Sequence, residues 1–223
     1  MNYKKINVLD CSLRDGGYYN YWNFNPLLVN NYLNCISKSK IKYVEIGFRF
    51  ENVKSFYGPF STSKDTFLEN LDLPNTLIYG VMINAKDFFN NHQLLNKRFV
   101  ESRNSKISFV RVAVNFDDFD KCQEICDNIK SKGYIVGLNL MQSHNKKKKK
   151  YAEVAKKINK WKTVDILYFA DSLGCMNNEE IKIISKKLRE NWNGPLGIHA
   201  HNNKGLALTN TLEAIRNGVT WCD

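Results

Sequence analysis

Two histidines in the last third of the chain are the side chains best placed to bind a metal. His199 and His201 stand two residues apart in the stretch 197–203, GIHAHNN. Residues two apart on a β-strand project from the same face, so both imidazoles can converge on one point. Neutral imidazole is the commonest nitrogen ligand of transition metals, and these are two of only four histidines in the chain. The pattern favours a metal site, with two hydrogen-bonded histidines at a rim as the simpler alternative.

An arginine and a carboxylate stand side by side near the N-terminus. Arg14 and Asp15 lie in the stretch 9–17, LDCSLRDGG, and a pair of glycines follows them. Glycines leave little steric cover, so a cation and a carboxylate would both be accessible to a small molecule. Taken alone, the stretch is explained equally by a turn with a neutralising ion pair.

The elements that must position these residues alternate along the chain between short β-branched runs and longer helical patterns. Eight strands are predicted, at Ile6–Cys11, Tyr43–Gly47, Leu77–Ile83, Ser108–Val114, Tyr134–Leu140, Val164–Phe169, Leu196–Ala200 and Val219–Cys222. Seven helices are predicted between them, at Pro26–Ser39, Lys64–Leu71, His92–Ser102, Phe116–Ser131, Lys147–Trp161, Asn178–Asn191 and Gly205–Asn217. This alternation predicts an α/β fold with a parallel sheet, and eight is the number of strands that closes a TIM (β/α)8 barrel. A doubly wound open sheet is the alternative, but no G-x-G-x-x-G follows the first strand.

The end of the chain bears on domain organisation. The sequence has 223 residues and stops at Asp223, directly after the eighth predicted strand, whereas a TIM barrel usually takes about 250 residues. No linker, repeat or change of composition divides the chain. We therefore expect one catalytic domain, residues 1–223, truncated after the eighth strand and belonging to a longer polypeptide.

A barrel would bring the residues named above together. Active sites of TIM barrels lie at the C-terminal ends of the strands. Asp15 follows the first strand and His199 and His201 end the seventh, and only the eighth strand separates those two in a closed barrel. Asp15 can therefore reach the point on which the histidines converge. Two histidines and one carboxylate leave metal positions open for substrate oxygens and water.

Five further polar residues lie on or near the same rim: Glu45, Arg111, Asn139, Asp171 and Ser172. Glu45 ends the second strand and, taken alone, is explained by a simple ion pair with Arg49 or a lysine. Asp171 and Ser172 end the sixth strand and line the substrate pocket or form a turn. Arg111 and Asn139 lie inside strands and contact substrate or join a polar core network.

Composition and charge exclude several classes of protein. The net charge is +11, but only seven of the 33 basic residues are Arg, which argues against base or phosphate recognition in nucleic acids. The run Lys146–Lys150 is most simply a solvated start of a helix. No apolar stretch approaches the roughly 18 residues of a membrane span, and no secretory signal is visible. Six cysteines without metal-binding spacing indicate a reducing, cytoplasmic compartment.

Several motifs together resemble one family of enzymes. The stretches Leu9–Gly17 and Gly197–Gly218 are similar to the opening and closing motifs of the DRE-TIM metallolyase (HMGL-like) superfamily. This superfamily includes 4-hydroxy-2-oxovalerate aldolase, HMG-CoA lyase and isopropylmalate synthase. Further similar stretches follow in the family's order at Val44–Gly47, Leu140–His144 and Ala170–Gly174. The chain looks most like the aldolase branch.

The resemblance implies a role for each residue of the cluster. Asp15, His199 and His201 would hold a divalent metal, Mn²⁺ or Mg²⁺, and the 2-oxo oxygen and carboxylate of a small 2-oxo acid substrate would chelate that metal. Arg14 would stabilise the enolate oxygen that develops on the metal as a carbon–carbon bond breaks or forms. Glu45 would orient Arg14 or a metal-bound water. The implied activity is a metal-dependent aldolase, that is, a lyase that cleaves or condenses 2-oxo acids. No nucleic-acid or membrane partner is expected. Whether the chain forms a homodimer is left open.

The chain departs from the family at the general base. The aldolase branch usually carries a histidine shortly after its Arg-Asp-Gly, but here Gly16 and Gly17 are followed by Tyr18. Tyr18 is one candidate base, although its ordinary pKa of about 10 is high for that role. His144, just beyond the fifth strand, is the second candidate, with an exposed loop histidine as the alternative. His92 is interpreted as a surface residue.

Two other functions remain open at this point. A Claisen-type acyl transferase resembling isopropylmalate synthase would use the same metal and the same rim. A barrel that has lost catalysis and serves as an aldolase-like binding domain would explain the missing histidine, although the retained Arg14, Asp15, His199 and His201 argue against it.

Overall fold

The computed structural model describes residues 5–89, 91 and 93–223 and shows a closed barrel of eight parallel strands. The strands follow one another around the barrel in chain order, β1 to β8. They are β1 Asn7–Asp10, β2 Tyr43–Phe48, β3 Ile78–Asn84, β4 Phe109–Asn115, β5 Ile135–Met141, β6 Ile166–Asp171, β7 Leu196–Ala200 and β8 Trp221–Cys222. The TIM barrel predicted from the alternating pattern is confirmed.

Each connection between consecutive strands contains at least one helix, and the last helix lies between β7 and β8. The helices are α1 Ser12–Asp15, α2 Gly17–Asn20, α3 Pro26–Ser37, α4 Asp65–Leu68, α5 Gln93–Arg98, α6 Gln123–Ser131, α7 Lys148–Trp161, α8 Asn178–Arg189 and α9 Ala207–Arg216. The start of α3 is set by Asn25, whose side chain accepts hydrogen bonds from two backbone N–H groups of the first turn, followed by Pro26. Among the described residues, no helix combines the length and the apolar character needed to cross a membrane.

Four helices differ from the sequence-based expectation. The predicted helix 64–71 is a single turn, α4, and the predicted helix 116–131 begins as a 3₁₀ turn at Phe116–Cys122 before α6 takes over. The short helices α1 and α2 were not predicted, because a pair of glycines is typical of a turn. These two helices carry Arg14, Asp15 and Tyr18 over the rim of the barrel.

The barrel interior changes character from its N-terminal to its C-terminal end. Apolar and aromatic side chains form one cluster at the N-terminal end, including Leu9, Phe109 and Trp221. A larger apolar cluster fills the layer between the strands and the helices. Toward the C-terminal end the interior side chains become polar, beginning with Glu45 and Arg111, which are 0% and 1% exposed. A polar group is costly to bury without a partner, so this end of the barrel requires an internal network of contacts.

Candidate active site

A tight loop after β1 brings Arg14 over the barrel. Tyr21 and Trp22 both adopt left-handed backbone angles, with φ of 57° and 59°, and fold the chain back over α1. The Trp22 indole N–H then donates to the carbonyl oxygen of Arg14 at 2.8 Å. The indole lies so close to Gly17 that a Cβ there would be 2.0 Å from Trp22 Cδ1. Only glycine fits at position 17.

One carboxylate holds two arginines at the centre of the site. Glu45 Oε2 accepts a hydrogen bond from Arg14 Nε at 2.6 Å and from Arg111 Nη2 at 2.7 Å, while Oε1 accepts from Arg111 Nε at 2.9 Å. Burial opposes the charge on Arg14, but Glu45 outweighs it and raises the pKa of the guanidinium above its usual value. Glu45 therefore pairs with Arg14 and Arg111 rather than with Arg49. Arg49 pairs with Asp65 instead.

Asp223 is a central residue that sequence analysis missed. Its fully buried carboxylate accepts a hydrogen bond from Arg111 Nη1 at 2.6 Å and lies 2.9 Å from Nδ1 of His199. Burial alone would raise the pKa of Asp223, but Arg111 and His199 hold it well below its ordinary value. Pairing of β7 with β8 matches Ile198 with Cys222, which places His199 and Asp223 side by side. The position of Asp223 in the sequence could have identified it, because it is a carboxylate at the C-terminal end of a barrel strand.

The three predicted metal ligands meet at one point. Nε2 of His199 lies 2.9 Å from Nε2 of His201 and 4.0 Å from Oδ2 of Asp15. One ligand atom from each of these residues lies within 4.8 Å of the others. Burial and the neighbouring His199 lower the pKa of His201, which favours the neutral, metal-binding imidazole. When Nδ1–H of His199 donates its hydrogen bond to Asp223, Nε2 of His199 carries the lone pair and faces His201.

The charge of the cluster also fits a divalent cation. Three carboxylates, those of Asp15, Glu45 and Asp223, surround the guanidinium groups of Arg14 and Arg111. When all are ionised the group carries one surplus negative charge. Two nitrogen donors and one carboxylate oxygen suit first-row divalent metals. The donor set and its charge therefore fit a divalent metal.

A second set of potential ligands shares His199 but fits a metal less well. Cys11, His199 and Asp223 also offer ligand atoms within 4.8 Å of one another. Burial, then the charge of Asp223, raise the pKa of the Cys11 thiol far above its ordinary value, and a protonated thiol is a poor ligand. Asp223 already interacts with His199 Nδ1. The site around Asp15, His199 and His201 is the better candidate.

Tyr18 stands between two depressions of the barrel mouth. One is an open cleft of about 590 Å³ lined by Asp15, His199, His201 and Tyr18. The other is a more enclosed compartment of about 240 Å³ on the side of β3, β4 and β5, again lined by Tyr18. The Tyr18 ring packs edge-on against Trp22. Burial raises the pKa of its hydroxyl, which therefore stays protonated near neutral pH.

Asp171 and Ser172, at the end of β6, both accept hydrogen bonds from backbone N–H groups. The two oxygens of Asp171 accept hydrogen bonds from the backbone N–H groups of Cys175 and Met176 and thereby shape the turn that precedes α8. Ser172 Oγ accepts from the backbone N–H of Gln142 at 2.9 Å, which ties the end of β5 to the end of β6. Both contacts stabilise the rim.

The remaining predicted residues lie at different distances from the cluster. Arg111 lies inside it, with its guanidinium 4.9 Å from the centroid of the Tyr168 ring. Asn139 is 3% exposed, and its Oδ1 has no hydrogen-bond partner in the described structure. His144 lies beyond β5 and is half-buried, and it lines neither of the two depressions at Tyr18. His92 lies outside the described residues.

Comparison with known proteins agrees with this geometry. The sequence pattern of the HMGL-like family matches residues 103–223, more than half of the chain. The chain belongs to the HMGL-like family. A solved structure, the N-terminal domain of a candidate aldolase from Bacteroides vulgatus, superposes with a TM-score of 0.84 at 30% sequence identity, over 98% of this chain and 72% of that one.

Curated relatives of this HMGL-like chain carry lyase names. A 4-hydroxy-2-oxovalerate aldolase of Rhodococcus opacus is 29% identical over 99% of this chain. An oxaloacetate decarboxylase of Mycobacterium tuberculosis is 25% identical over 97% of it. The chain spans 62% of the length of each of these two relatives.

Proposed function

We propose that this protein is a divalent-metal-dependent carbon–carbon lyase that cleaves or forms the aldol bond of a 2-oxo acid. The observation that carries the proposal is the meeting of Asp15, His199 and His201 beside an arginine whose orientation is fixed by Glu45. A bound Mn²⁺ or Mg²⁺ would act as a Lewis acid toward the oxygens of the 2-oxo acid. The lyase names of the curated relatives support the same reaction class.

Arg14 is the residue that stabilises developing negative charge. In cleavage, the 4-hydroxyl loses its proton, the bond between carbons 3 and 4 breaks, and its electron pair forms the enolate of the 2-oxo acid as the aldehyde departs. Protonation of carbon 3 completes the reaction. Arg14 is 4% exposed, and its Nη2 has no hydrogen-bond partner in the described structure, although Nε is held by Glu45. A fixed donor with a free N–H serves an enolate oxygen without reorganising in the transition state.

Tyr18 acts as the proton donor in the condensation direction. When the enolate adds to an aldehyde, the aldehyde oxygen gains negative charge and needs a proton. The Tyr18 hydroxyl lines the metal cleft and is protonated near neutral pH. In cleavage the same hydroxyl, once deprotonated, would take the proton of the 4-hydroxyl, so Tyr18 would serve both directions of the reaction. Its raised pKa keeps the deprotonated fraction small near neutral pH.

The test measures enolate formation in the full-length polypeptide with pyruvate as the probe. We expect the methyl protons of pyruvate to exchange with D₂O, observed by NMR, in the presence of Mn²⁺ and not in excess EDTA. Asp15→Asn should abolish the exchange, whereas Asp120→Asn, a change at a half-exposed surface carboxylate, should preserve it. Exchange that continues in excess EDTA would refute the proposal. Oxaloacetate and 4-hydroxy-2-oxopentanoate, offered in parallel, distinguish decarboxylation from aldol cleavage.

A further inference from the structure

The helix that carries Arg14 and Asp15 is too short to hold its own shape. Helix α1 has four residues, Ser12–Asp15, and therefore only a single turn. Forming a first turn fixes several backbone angles in return for very few hydrogen bonds, so an isolated turn is unstable in water. The positions of the Arg14 guanidinium and the Asp15 carboxylate therefore depend on the contacts that α1 makes with the rest of the barrel.

Both ends of α1 are held by side chains from outside the helix. At its end, the indole N–H of Trp22 donates to the carbonyl oxygen of Arg14. At its start, Cys11 occupies the capping position, but its side chain makes no capping hydrogen bond. The preceding residue supplies the cap, since Oδ1 of Asp10 accepts a hydrogen bond from the backbone N–H of Ser12 at 3.0 Å. Asp10 thereby satisfies an N–H group that has no partner within the helix.

Asp10 is in turn held by Tyr32, which lies on α3 outside the wall of strands. Leu9 belongs to the apolar cluster inside the barrel, so the next residue of β1, Asp10, faces the helices. There the hydroxyl of Tyr32 donates to Oδ1 of Asp10 at 2.5 Å, within the range of short charge-assisted hydrogen bonds. Burial and then this hydrogen bond raise the pKa of Tyr32 above its ordinary value, so its hydroxyl stays a donor.

We infer that Tyr32 and Asp10 are positioning residues of the active site, which set the place of Asp15 and Arg14 through the start of α1. Neither is among the residues that line the metal cleft. The inference rests on the proposed function for its effect on turnover, whereas its effect on metal affinity requires only that Asp15 is a ligand. Because Arg14 and Asp15 move together with α1, loss of this support lowers turnover and metal affinity at once.

The test compares Tyr32→Phe and Asp10→Ala with the wild type in the full-length polypeptide. Tyr32→Phe removes only the hydroxyl, so we expect the Mn²⁺-dependent exchange of pyruvate protons to slow by about tenfold. Asp10→Ala should slow it by about 10- to 100-fold, because a displacement of about 1 Å at a reacting group can cost that much. Mn²⁺ affinity, measured by electron paramagnetic resonance of the free ion, should fall by about tenfold in Asp10→Ala. Asp10→Asn, which keeps an acceptor oxygen, should recover most of both losses.

Two comparisons distinguish positioning from a general loss of stability. Tyr79→Phe is the matched control, because the hydroxyl that it removes, on another strand, donates to the backbone oxygen of Pro74 at 3.0 Å. This variant should be less stable to urea but should keep the exchange rate and the Mn²⁺ affinity of the wild type. The double variant of Tyr32→Phe and Asp10→Ala should be no slower than Asp10→Ala alone, because Tyr32 acts through Asp10.

The outcomes separate this inference from the proposed function. If the wild type exchanges pyruvate protons with Mn²⁺ and both Tyr32→Phe and Asp10→Ala match it in rate and affinity, the proposed function stands and the positioning role is wrong. Losses whose free energies add in the double variant, or an equal loss of exchange in Tyr79→Phe, would also overturn that role. If the wild type shows no metal-dependent exchange but Asp10→Ala binds Mn²⁺ more weakly, the positioning of Asp15 stands and the proposed function is wrong.

Discussion

The carboxylate of Asp223 lies 2.9 Å from Nδ1 of His199, on the side of the imidazole ring opposite His201. A carboxylate in that position fixes the tautomer and the orientation of a metal-binding histidine. The same carboxylate accepts a hydrogen bond from Arg111, which in turn holds Glu45. Asp223 thus connects the metal ligands to the pair of residues that orients Arg14.

Replacing Asp223 should weaken metal binding without removing a ligand. Asp223→Asn keeps the shape of the side chain but loses the negative charge that fixes His199. We expect the affinity for Mn²⁺ to fall by about 10- to 100-fold, the usual effect of losing such an outer contact. Electron paramagnetic resonance of free Mn²⁺ during titration measures this directly, with Asp120→Asn as the surface control. An unchanged affinity in a folded Asp223→Asn protein would show that His199 needs no such support.

Replacing Arg14 should lower turnover much more than it weakens metal binding. Its guanidinium contacts Asp15 at 2.6 Å but occupies none of the three ligand positions. Arg14→Ala should lower turnover by about two to three orders of magnitude, as loss of an oxyanion donor does. Mn²⁺ affinity should change far less than turnover. A variant that turns over normally would contradict the role of Arg14 in stabilising the enolate.

Gly17 should tolerate no side chain. A Cβ at this position would overlap the Trp22 indole, so Gly17→Ala should displace Trp22 or strain the loop, at a cost of about 1–3 kcal/mol of unfolding free energy. Urea unfolding measures this. Gly205→Asn is the control, because Gly205 has open space around it and asparagine accepts its left-handed backbone angle. Equal stability of Gly17→Ala and the wild type would contradict the close contact with Trp22.

Thiol reactivity should follow burial. Burial, aided by Asp118 and Asp120, raises the pKa of Cys122 to about 12, so very little of its reactive thiolate exists near neutral pH. Because the pKa is raised, alkylation of Cys122 should stay slow up to pH 9, whereas exposed Cys35 should react readily. Peptide mapping by mass spectrometry after iodoacetamide treatment from pH 7 to 9 follows both sites. Rapid modification of Cys122 in the folded protein would show that the 3₁₀ turn at Phe116–Cys122 opens.

The parts of the site that the sequence predicted are those set by strand ends. The sequence predicted that Asp15, His199 and His201 lie close together, because all three are at or just beyond the C-terminal ends of parallel strands, and these ends meet on one rim. Asp223 was not assigned a role, although it obeys the same rule. Its partners are Arg111 and His199, and Arg111 lies 112 residues away in sequence. Such a contact depends on strand register, which hydrophobic periodicity does not specify.

For Asp171 the sequence allows two interpretations. Asp171 was expected to line the substrate pocket or to form a turn at the end of the sixth strand. In the structure its oxygens accept backbone hydrogen bonds from the following turn. Aspartate commonly stabilises turns in this way, and the sequence does not distinguish that role from substrate binding. Whether Asp171 also contacts a bound substrate stays a prediction.

The ion cluster around Glu45 is formed by residues that are synthesised at very different times. Arg14, Glu45 and Arg111 leave the ribosome well before Asp223, which is separated from Arg111 by half the chain. Until Asp223 arrives, the only carboxylate among the described residues that contacts Arg111 is Glu45, which Arg14 shares, and Nη1 of Arg111 lacks the partner that it has in the folded barrel. Domains fold during translation as their segments emerge, but here Arg111 gains its second carboxylate only when the eighth strand docks. Closure of the barrel and completion of the contacts of Arg111 are therefore one event in the folding of the nascent chain.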